Sequence, residues 1–187
     1  MKHFPESLIL ESRRCRYRIP TLDDRRHTIS AAQYPGFTDG MLWEPPKHAD
    51  ELLPIFESMR AAWVSGEAFC FSIIDSSDDG FIGRIAIRRE ATPEVWNLGF
   101  WTHPERQNRG YMTEAAARLI AFGFLELDAR DIIARHALWN KASEAVMRKN
   151  GMSFRQYLPQ GFQKRGQWVE ENELGITRES WLANRQK

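Results

Sequence analysis

The stretch ERQNRGYMTEAA, residues 105–116, decides how this chain is read. It follows VWNLGFWT at 95–102, a run of aromatic and apolar residues that reads as a strand. It passes through Gln107-Asn108-Arg109-Gly110 and enters an alanine-rich run that reads as a helix from about Gly110 to Leu127. A helix N-terminus carries unpaired backbone N–H groups and the positive end of a dipole. A glycine there lets an anion approach the backbone, so the turn reads as a cradle for a phosphate or pyrophosphate. Gly110 gives the close approach, Arg109 a charge and Thr113 a hydroxyl. The plain alternative is a strand-to-helix turn that happens to contain a glycine. The spacing is neither GxGxxG nor GxxxxGK(S/T), so neither the dinucleotide nor the Walker reading is indicated.

Working outward, FCFSIID (69–75) alternates at period 2, Asp78-Asp79-Gly80 signals a turn, and FIGRIAIRR (81–89) returns as a strand. A second turn at 90–94 leads into the strand 95–102. After the helix, IIARHALW (132–139) reads as a strand. A further helix covers 141–149 and stops at Asn150-Gly151. Upstream, CRYRI (15–19) reads as a strand, Thr21 to Asp24 as a capping-box variant opening a helix to about Gln33, and Asp50 to about Val64 as a second helix. Residues 34–48 read as a loop. Downstream, 152–158 and about 169–178 read as strands separated by the loop PQGFQKRGQ. The order β-α-α-β-β-β-α-β-α-β-β predicts a mixed α/β sheet, with 95–102 and 132–139 parallel in a βαβ unit.

The chain has 187 residues with 42% hydrophobic and 27% charged content, which suits one soluble domain spanning 1–187. Its 26 basic residues nearly balance 25 acidic ones, arguing against general nucleic-acid binding. Cys15 and Cys70 stand far apart, in no metal spacing, and read as buried reduced residues; no metal site is expected. No run is long and apolar enough for a membrane span or a signal peptide, so a cytoplasmic setting is the default expectation.

The run NLGFWTHPERQNRGYMTEAAARLIAFGF resembles motif A of the GNAT N-acetyltransferases, and within them the RimJ/RimL-type branch. The family's Q/R-x-x-G-x-G/A signature falls on Gln107, Gly110 and Met112, where Met replaces a small residue. HALWNKASEAVMRKNGMSF resembles the family's N-x-x-S segment, carried by Asn140 and Ser143. FSIIDSSDDGFIGRIAIRR resembles the family's hairpin. The resemblance implies the GNAT fold: a mixed, mostly antiparallel α/β (α+β) sheet splayed between two parallel strands, with helices on both faces. It implies acetyl-CoA as co-substrate. The pyrophosphate would lie on the backbone of Asn108, Arg109, Gly110, Tyr111, Met112 and Thr113. The pantetheine arm would run along Phe100, Trp101 and Thr102.

By the same resemblance Asn140 reaches the pantetheine or a nearby water, while its plain role is a helix N-cap. Ser143 matches the family serine proposed to protonate the departing thiolate. That need is weak, because a free thiol has pKa about 8.5. Lys149 and Arg148 meet coenzyme A phosphates or simply form a solvated helix face. Glu114 reads as a first-turn complement to the helix dipole. No carboxylate stands at the family's usual base position, which is Asn97 here; the other position used, in the strand after Gly151, is Arg155. The remaining candidates are Glu105, His103, Glu94, His136 and an ordered water, with His103 read as an exposed loop residue.

A weak base favours an acceptor that is partly neutral. An α-amine of pKa about 7.7–8.0 is neutral to roughly a tenth at pH 7, a lysine of about 10.4 to well under a thousandth. This favours a protein or peptide N-terminus, such as that of a ribosomal protein, held between the loop 34–48, with Phe37, Trp43 and Glu44, and the loop 159–168. The amine would attack the thioester directly in a ternary complex. The alternatives are a small-amine acetyltransferase for polyamines or aminoglycosides, and a non-catalytic acyl-CoA-binding sensor of the same fold. The oligomeric expectation is a monomer or homodimer.

Overall fold

In the computed structural model, residues 2–185 are described. One eight-stranded sheet holds β1 (Leu10–Glu11), β2 (Cys15–Arg18), β3 (Ala68–Asp75), β4 (Phe81–Arg89), β5 (Val95–Thr102), β6 (Asp131–Ala137), β7 (Ser153–Lys164) and β8 (Gln167–Thr177). The spatial order is β1-β2-β3-β4-β5-β6-β8-β7. The helices are α1 (Arg25–Ala32), α2 (Leu53–Ser65), α3 (Tyr111–Leu125), α4 (Lys141–Lys149) and α5 (Arg178–Asn184). No described helix is long and apolar enough to cross a membrane.

The sheet is antiparallel except at β5–β6, as the βαβ reading requires. That parallel pair holds only over Val95–Asn97 against Asp131–Ile133. Beyond Asn97, β5 runs on to Thr102 and β6 to Ala137 without pairing to each other, so the sheet opens there.

Alternation sorts the two faces. On one, Phe69 and Phe71 pack edge-on against Phe122 of α3, with ring centroids 5.8 and 5.9 Å apart. On the other, Ser72 donates to Asp24 at 2.8 Å and Arg84 to Thr28 of α1 at 3.2 Å. Helices therefore cover both faces, and burying the aromatic and β-branched side chains between them is what drives the sheet together. Gly123 is a glycine for space: a Cβ there would stand 2.7 Å from Ile132 and 2.8 Å from Ile87.

Three sequence expectations need correction. The loop expected at 159–167 is strand: β7 and β8 form one long hairpin whose two-residue turn is Arg165-Gly166. Both turn residues have positive φ, 51° and 77°, which suits the twist of the flanking strands. Gly161 does not mark a loop but a register irregularity, where a Cβ would meet the Glu171 side chain. The last strand ends at Thr177, whose side chain accepts from Ser180 N–H and caps α5, a helix the sequence reading lacks. The short β1 is likewise additional. Cys15 and Cys70 are buried and unbridged as expected, and burial pushes the Cys15 thiol up to about 11.

Candidate active site

The turn at 107–110 has two left-handed residues, Asn108 (φ 60°) and Gly110 (φ 77°), on either side of Arg109. Gly110 is the N-cap of α3. The first helical bond runs from Glu114 N–H to the Gly110 carbonyl at 3.2 Å. The N–H groups of Tyr111, Met112 and Thr113 therefore precede the ladder and are free for an external acceptor. A Cβ on Gly110 would meet only the Arg14 guanidinium, at 3.5 Å, so the glycine serves the positive φ rather than a tight contact. The Met112 side chain is buried in the core. Its bulk points away from the cradle, and replacing a small residue there leaves the backbone open.

Two ties hold this turn. Glu114 accepts from Ser12 Oγ, Arg14 N–H and Arg14 Nε, each at 2.7 Å. Tyr111 donates to Asp75 at 2.5 Å, and Asp75 also faces Arg106 at 3.7 Å. The Tyr111 hydrogen bond, with those from Ser77 and the nearby Arg106, lowers the Asp75 carboxyl to about 2.

The cradle opens into a cleft of about 710 Å³. Its walls include Phe100, Trp101, Thr102, Gln107, Asn108, Arg109, Gly110, Tyr111, Met112, Thr113, Asn140, Ser143 and Lys149, together with Phe37. The gap between β5 and β6 forms its floor. His103 N–H bonds the Ile82 carbonyl of β4 at 2.8 Å. Antiparallel alternation then points the backbone of Trp101 at β4 and that of Leu98, Phe100 and Thr102 into the gap. The Thr102 carbonyl is already taken by Gln107 Nε2 at 3.3 Å. The N–H of Thr102 and both backbone groups of Phe100 are left to pair with an inserted arm.

Asn140 caps α4: its Oδ1 accepts from Ser143 N–H at 3.1 Å. Its Nδ2 and the Trp139 ring lie against Gly40 of the 34–48 segment. Arg148 is spent on Glu144 at 2.8 Å, on the solvated face of the helix, whereas Lys149 lines the cleft.

Of the expected acceptor residues, Phe37 packs between Trp101 (5.5 Å) and Trp43 (6.2 Å). Trp43 and Glu44 stand outside the cleft lining. Glu44 is engaged by Lys164 at 3.2 Å and Arg165 at 3.6 Å, so it is not a free carboxylate for an ammonium.

The candidate bases separate clearly. His103, read as exposed, is 6% exposed. Its Nδ1 accepts Glu105 N–H at 3.3 Å and its Nε2 meets Ser30 Oγ at 3.2 Å. Burial holds its imidazole below the ordinary histidine value. Glu105 accepts from the Tyr34 hydroxyl at 2.7 Å, outside the cleft lining. Glu94 sits in the β4–β5 turn, where its carbonyl takes Arg130 N–H. Asn97 donates to Glu90 at 2.8 Å, and Arg155 is paired with Asp131 at 3.2 Å. Only His136 among these lines the cleft. Among the described residues no cluster of three or more His, Cys, Asp or Glu fit to hold a metal occurs.

Sequence reasoning missed Arg106 and Arg135 in the cleft wall, and Arg14 beneath the cradle. Arg14 comes from a strand-turn about a hundred residues away, and no local pattern could place it there.

The family model described as Acetyltransferase (GNAT) domain matches residues 14–153. An uncharacterized N-acetyltransferase of Bacillus subtilis, YnaD, is 31% identical over 111 residues, which is 59% of this chain and 65% of YnaD. A second curated relative, an FsC-acetyl coenzyme A-N(2)-transacetylase of Aspergillus fumigatus, is 31% identical over 86 residues, 45% of this chain and 37% of its own length. The chain thus spans less than two thirds of these relatives. Among solved structures, Mycobacterium smegmatis RimJ in complex with a CoA-disulfide superposes with TM-score 0.79 at 20% identity, covering 88% of this chain and 82% of that one. The RimL α-N-protein acetyltransferase in complex with coenzyme A gives TM-score 0.83 at 16% identity, covering 92% and 99%. At those identities the likeness is one of fold.

Proposed function

Because the chain belongs to the GNAT acetyltransferase family, we propose that it transfers an acetyl group from acetyl-CoA to a primary amine, most readily the α-amine of a protein or peptide N-terminus. The observation that carries this is the composition of the cleft. Among the described residues its lining includes Arg106, Arg109, Arg135 and Lys149 and no carboxylate side chain, and the free N–H groups of Tyr111, Met112 and Thr113 open into it. Such a wall suits a polyanion such as a pyrophosphate.

In this reading the pyrophosphate sits on the α3 N-terminus, and the arm adds to the free edge of β5 through Phe100 and Thr102. That arrangement brings the thioester toward the point where β5 and β6 part. A backbone N–H in the gap, aimed at the thioester oxygen, stabilises the developing oxyanion. The amine attacks directly, without a covalent enzyme intermediate. The buried Cys15, whose thiol burial drives up to about 11, is unsuited to be a nucleophile. Ser143, at the first turn of α4, supplies a proton to the departing sulfur.

The acceptor assignment draws on the neutral fraction of an α-amine and on the names of the RimJ and RimL neighbours. It draws equally on the cationic lining of Arg106, Arg109, Arg135 and Lys149, whose like charge disfavours a polycation. The test is thiol release from acetyl-CoA with a panel of N-terminal peptides, polyamines and aminoglycosides. Release with peptides above all is the expected result. Tight acetyl-CoA binding with no thiol release across the panel would replace this reading with the non-catalytic acyl-CoA sensor.

A further inference from the structure

Acyl transfer must take a proton from the attacking amine, and among the described residues the cleft holds one side chain equipped to receive it. His136 lies on β6, three residues past the last β5–β6 pair, Asn97 with Ile133. Ile132 of the same strand reaches toward Gly123 of α3, so alternation places Ala134 and His136 on that face. His136 is 3% exposed yet lines the cleft. Its Nδ1 stands 2.8 Å from the Ala137 carbonyl oxygen. A carbonyl only accepts, so Nδ1 carries the hydrogen and the neutral ring keeps its lone pair on Nε2. Nε2 is buried and has no partner among the described residues. Buried polar atoms are satisfied almost everywhere in folded proteins, and a bare one on a residue that lines the cleft points to something that binds it.

Among the described residues no other side chain of the cleft competes. No described Asp or Glu lines it. Its cations, Arg106, Arg109, Arg135 and Lys149, are hydrogen-bond donors only, and its phenols, Tyr34 and Tyr111, donate to Glu105 and Asp75. On β8, Asn172 stands directly opposite His136, while Glu171 and Glu173 on either side of it point to the other face. Glu173 is bound there by Arg135 at 2.8 Å. From α4, packed over β6, the polar groups reaching the cleft are Ser143 and Lys149.

We propose that His136 is a catalytic residue, accepting the amine's proton on Nε2. This rests on the acetyl-transfer reading. As the amine nitrogen bonds to the acetyl carbon and the C–S bond breaks, the surplus proton on nitrogen passes to Nε2. The sulfur leaves with the bonding electron pair and takes a proton from the Ser143 hydroxyl, which the imidazolium then re-protonates. Protons and charge balance, and no further reactant is needed. The Nδ1–H bond to Ala137 keeps the lone pair on Nε2 from one turnover to the next.

The experiment compares wild type with His136→Gln and His136→Ala. Both variants should bind acetyl-CoA within about twofold of wild type, while kcat falls roughly 100-fold or more. The acid limb of the kcat/KM profile should vanish, and added imidazole should restore part of the His136→Ala activity. A variant that keeps activity within about threefold, or keeps the acid limb, overturns the assignment. Nitrogen-15 histidine spectra of the wild type give a readout free of turnover. They should show an unprotonated Nε2 whose resonance moves when coenzyme A is added. A protonated Nε2, or one indifferent to coenzyme A, overturns the proposal even if the variants fail to fold. A wild type that binds acetyl-CoA but acetylates nothing overturns the acetyl-transfer reading itself, and His136 with it.

Discussion

Arg14 Nε donates to Glu114 Oε2 across 2.7 Å, joining the β1–β2 turn to the first turn of α3. The same guanidinium donates from Nη1 to the Arg109 carbonyl at 2.9 Å and lies 4.5 Å over the Tyr111 ring. One side chain thereby fixes the cradle at three residues, Arg109, Tyr111 and Glu114. Burial acts to raise the Glu114 carboxyl, but the hydrogen bonds from Ser12 and Arg14 outweigh it and hold it low. Its contribution to stability is therefore present above the unfolded carboxyl value and lost as pH falls through the folded one. The guanidinium is partly exposed, so Arg14→Ala should cost about 1 kcal/mol of stability. It should weaken acetyl-CoA binding roughly fivefold by calorimetry, since a mobile 109–111 turn must be ordered on binding. Unchanged affinity would show that the cradle holds its shape without this tie.

Asp75 and Tyr111 give a second tie with its own pH signature. The Asp75 carboxyl, brought down to about 2 with the Tyr111 hydroxyl as the largest cause, contributes stability that is complete above the unfolded value. That contribution disappears as pH falls from about 4 toward 2. Tyr111→Phe should raise the folded value and so shift the acid-unfolding midpoint to higher pH, with little change at pH 7 beyond the lost hydrogen bond of about 1 kcal/mol. Acid titrations followed by circular dichroism would show it, and coincident curves would remove Asp75 from the account.

What could be read in the sequence was what is local. The strand at 95–102, the Gly110 turn and the Asn140 cap each follow from neighbours in the chain. The splay between β5 and β6 was implied by family resemblance alone, because no pattern in either strand announces where pairing ends. The Arg165-Gly166 turn went unread for a physical reason. Its left-handed first residue is an arginine, not the asparagine or aspartate that usually signals such a turn. His103 was misjudged because Pro104 follows it and suggests a surface loop, whereas Ser30 and Tyr34 of a distant segment cover it. Glu44 was offered to the substrate, and Lys164 claimed it.

Gly110 separates backbone strain from charge in the cradle. At φ 77° and with only Arg14 at 3.5 Å from a Cβ, Gly110→Ala should fold and lose about 1–2 kcal/mol, the cost of a left-handed alanine. Acetyl-CoA affinity should fall modestly. Gly110→Glu adds a carboxylate beside the free N–H groups and should abolish acetyl-CoA binding. Calorimetry with both variants tests the assignment, and an unchanged dissociation constant for Gly110→Glu would end it.

Ser143 offers a split between binding and turnover. Its N–H is held by Asn140 Oδ1 at 3.1 Å, a contact that Ser143→Ala leaves intact. That variant should keep its acetyl-CoA affinity and lose turnover, most visibly below the thiol pKa of about 8.5 where a thiolate needs a proton. Asn140→Ala removes the cap instead and should cost about 1 kcal/mol of stability. Full activity in Ser143→Ala would leave Ser143 as a helix residue only.

Lys164 carries the relation between the long hairpin and the acceptor side. It is 8% exposed, and its ammonium donates to the carbonyls of Trp43 at 2.7 Å and Met41 at 3.0 Å. Glu44 lies 3.2 Å away and neutralises it. The end of β7 is thus bonded to the far part of the 34–48 segment, whose near part supplies Phe37 and Gly40 to the cleft. Lys164→Met keeps the aliphatic stem but leaves two carbonyls without their donor, a loss of about 1–3 kcal/mol if they stay buried. The segment can recover much of that by moving outward to water, taking Phe37 off Trp101. In the proposed reading acetyl-CoA sits on the α3 N-terminus and β5, away from this contact, so its affinity should hold while KM for the amine rises several-fold. Equal changes in both constants, or in neither, would mean that the hairpin does not set the acceptor wall.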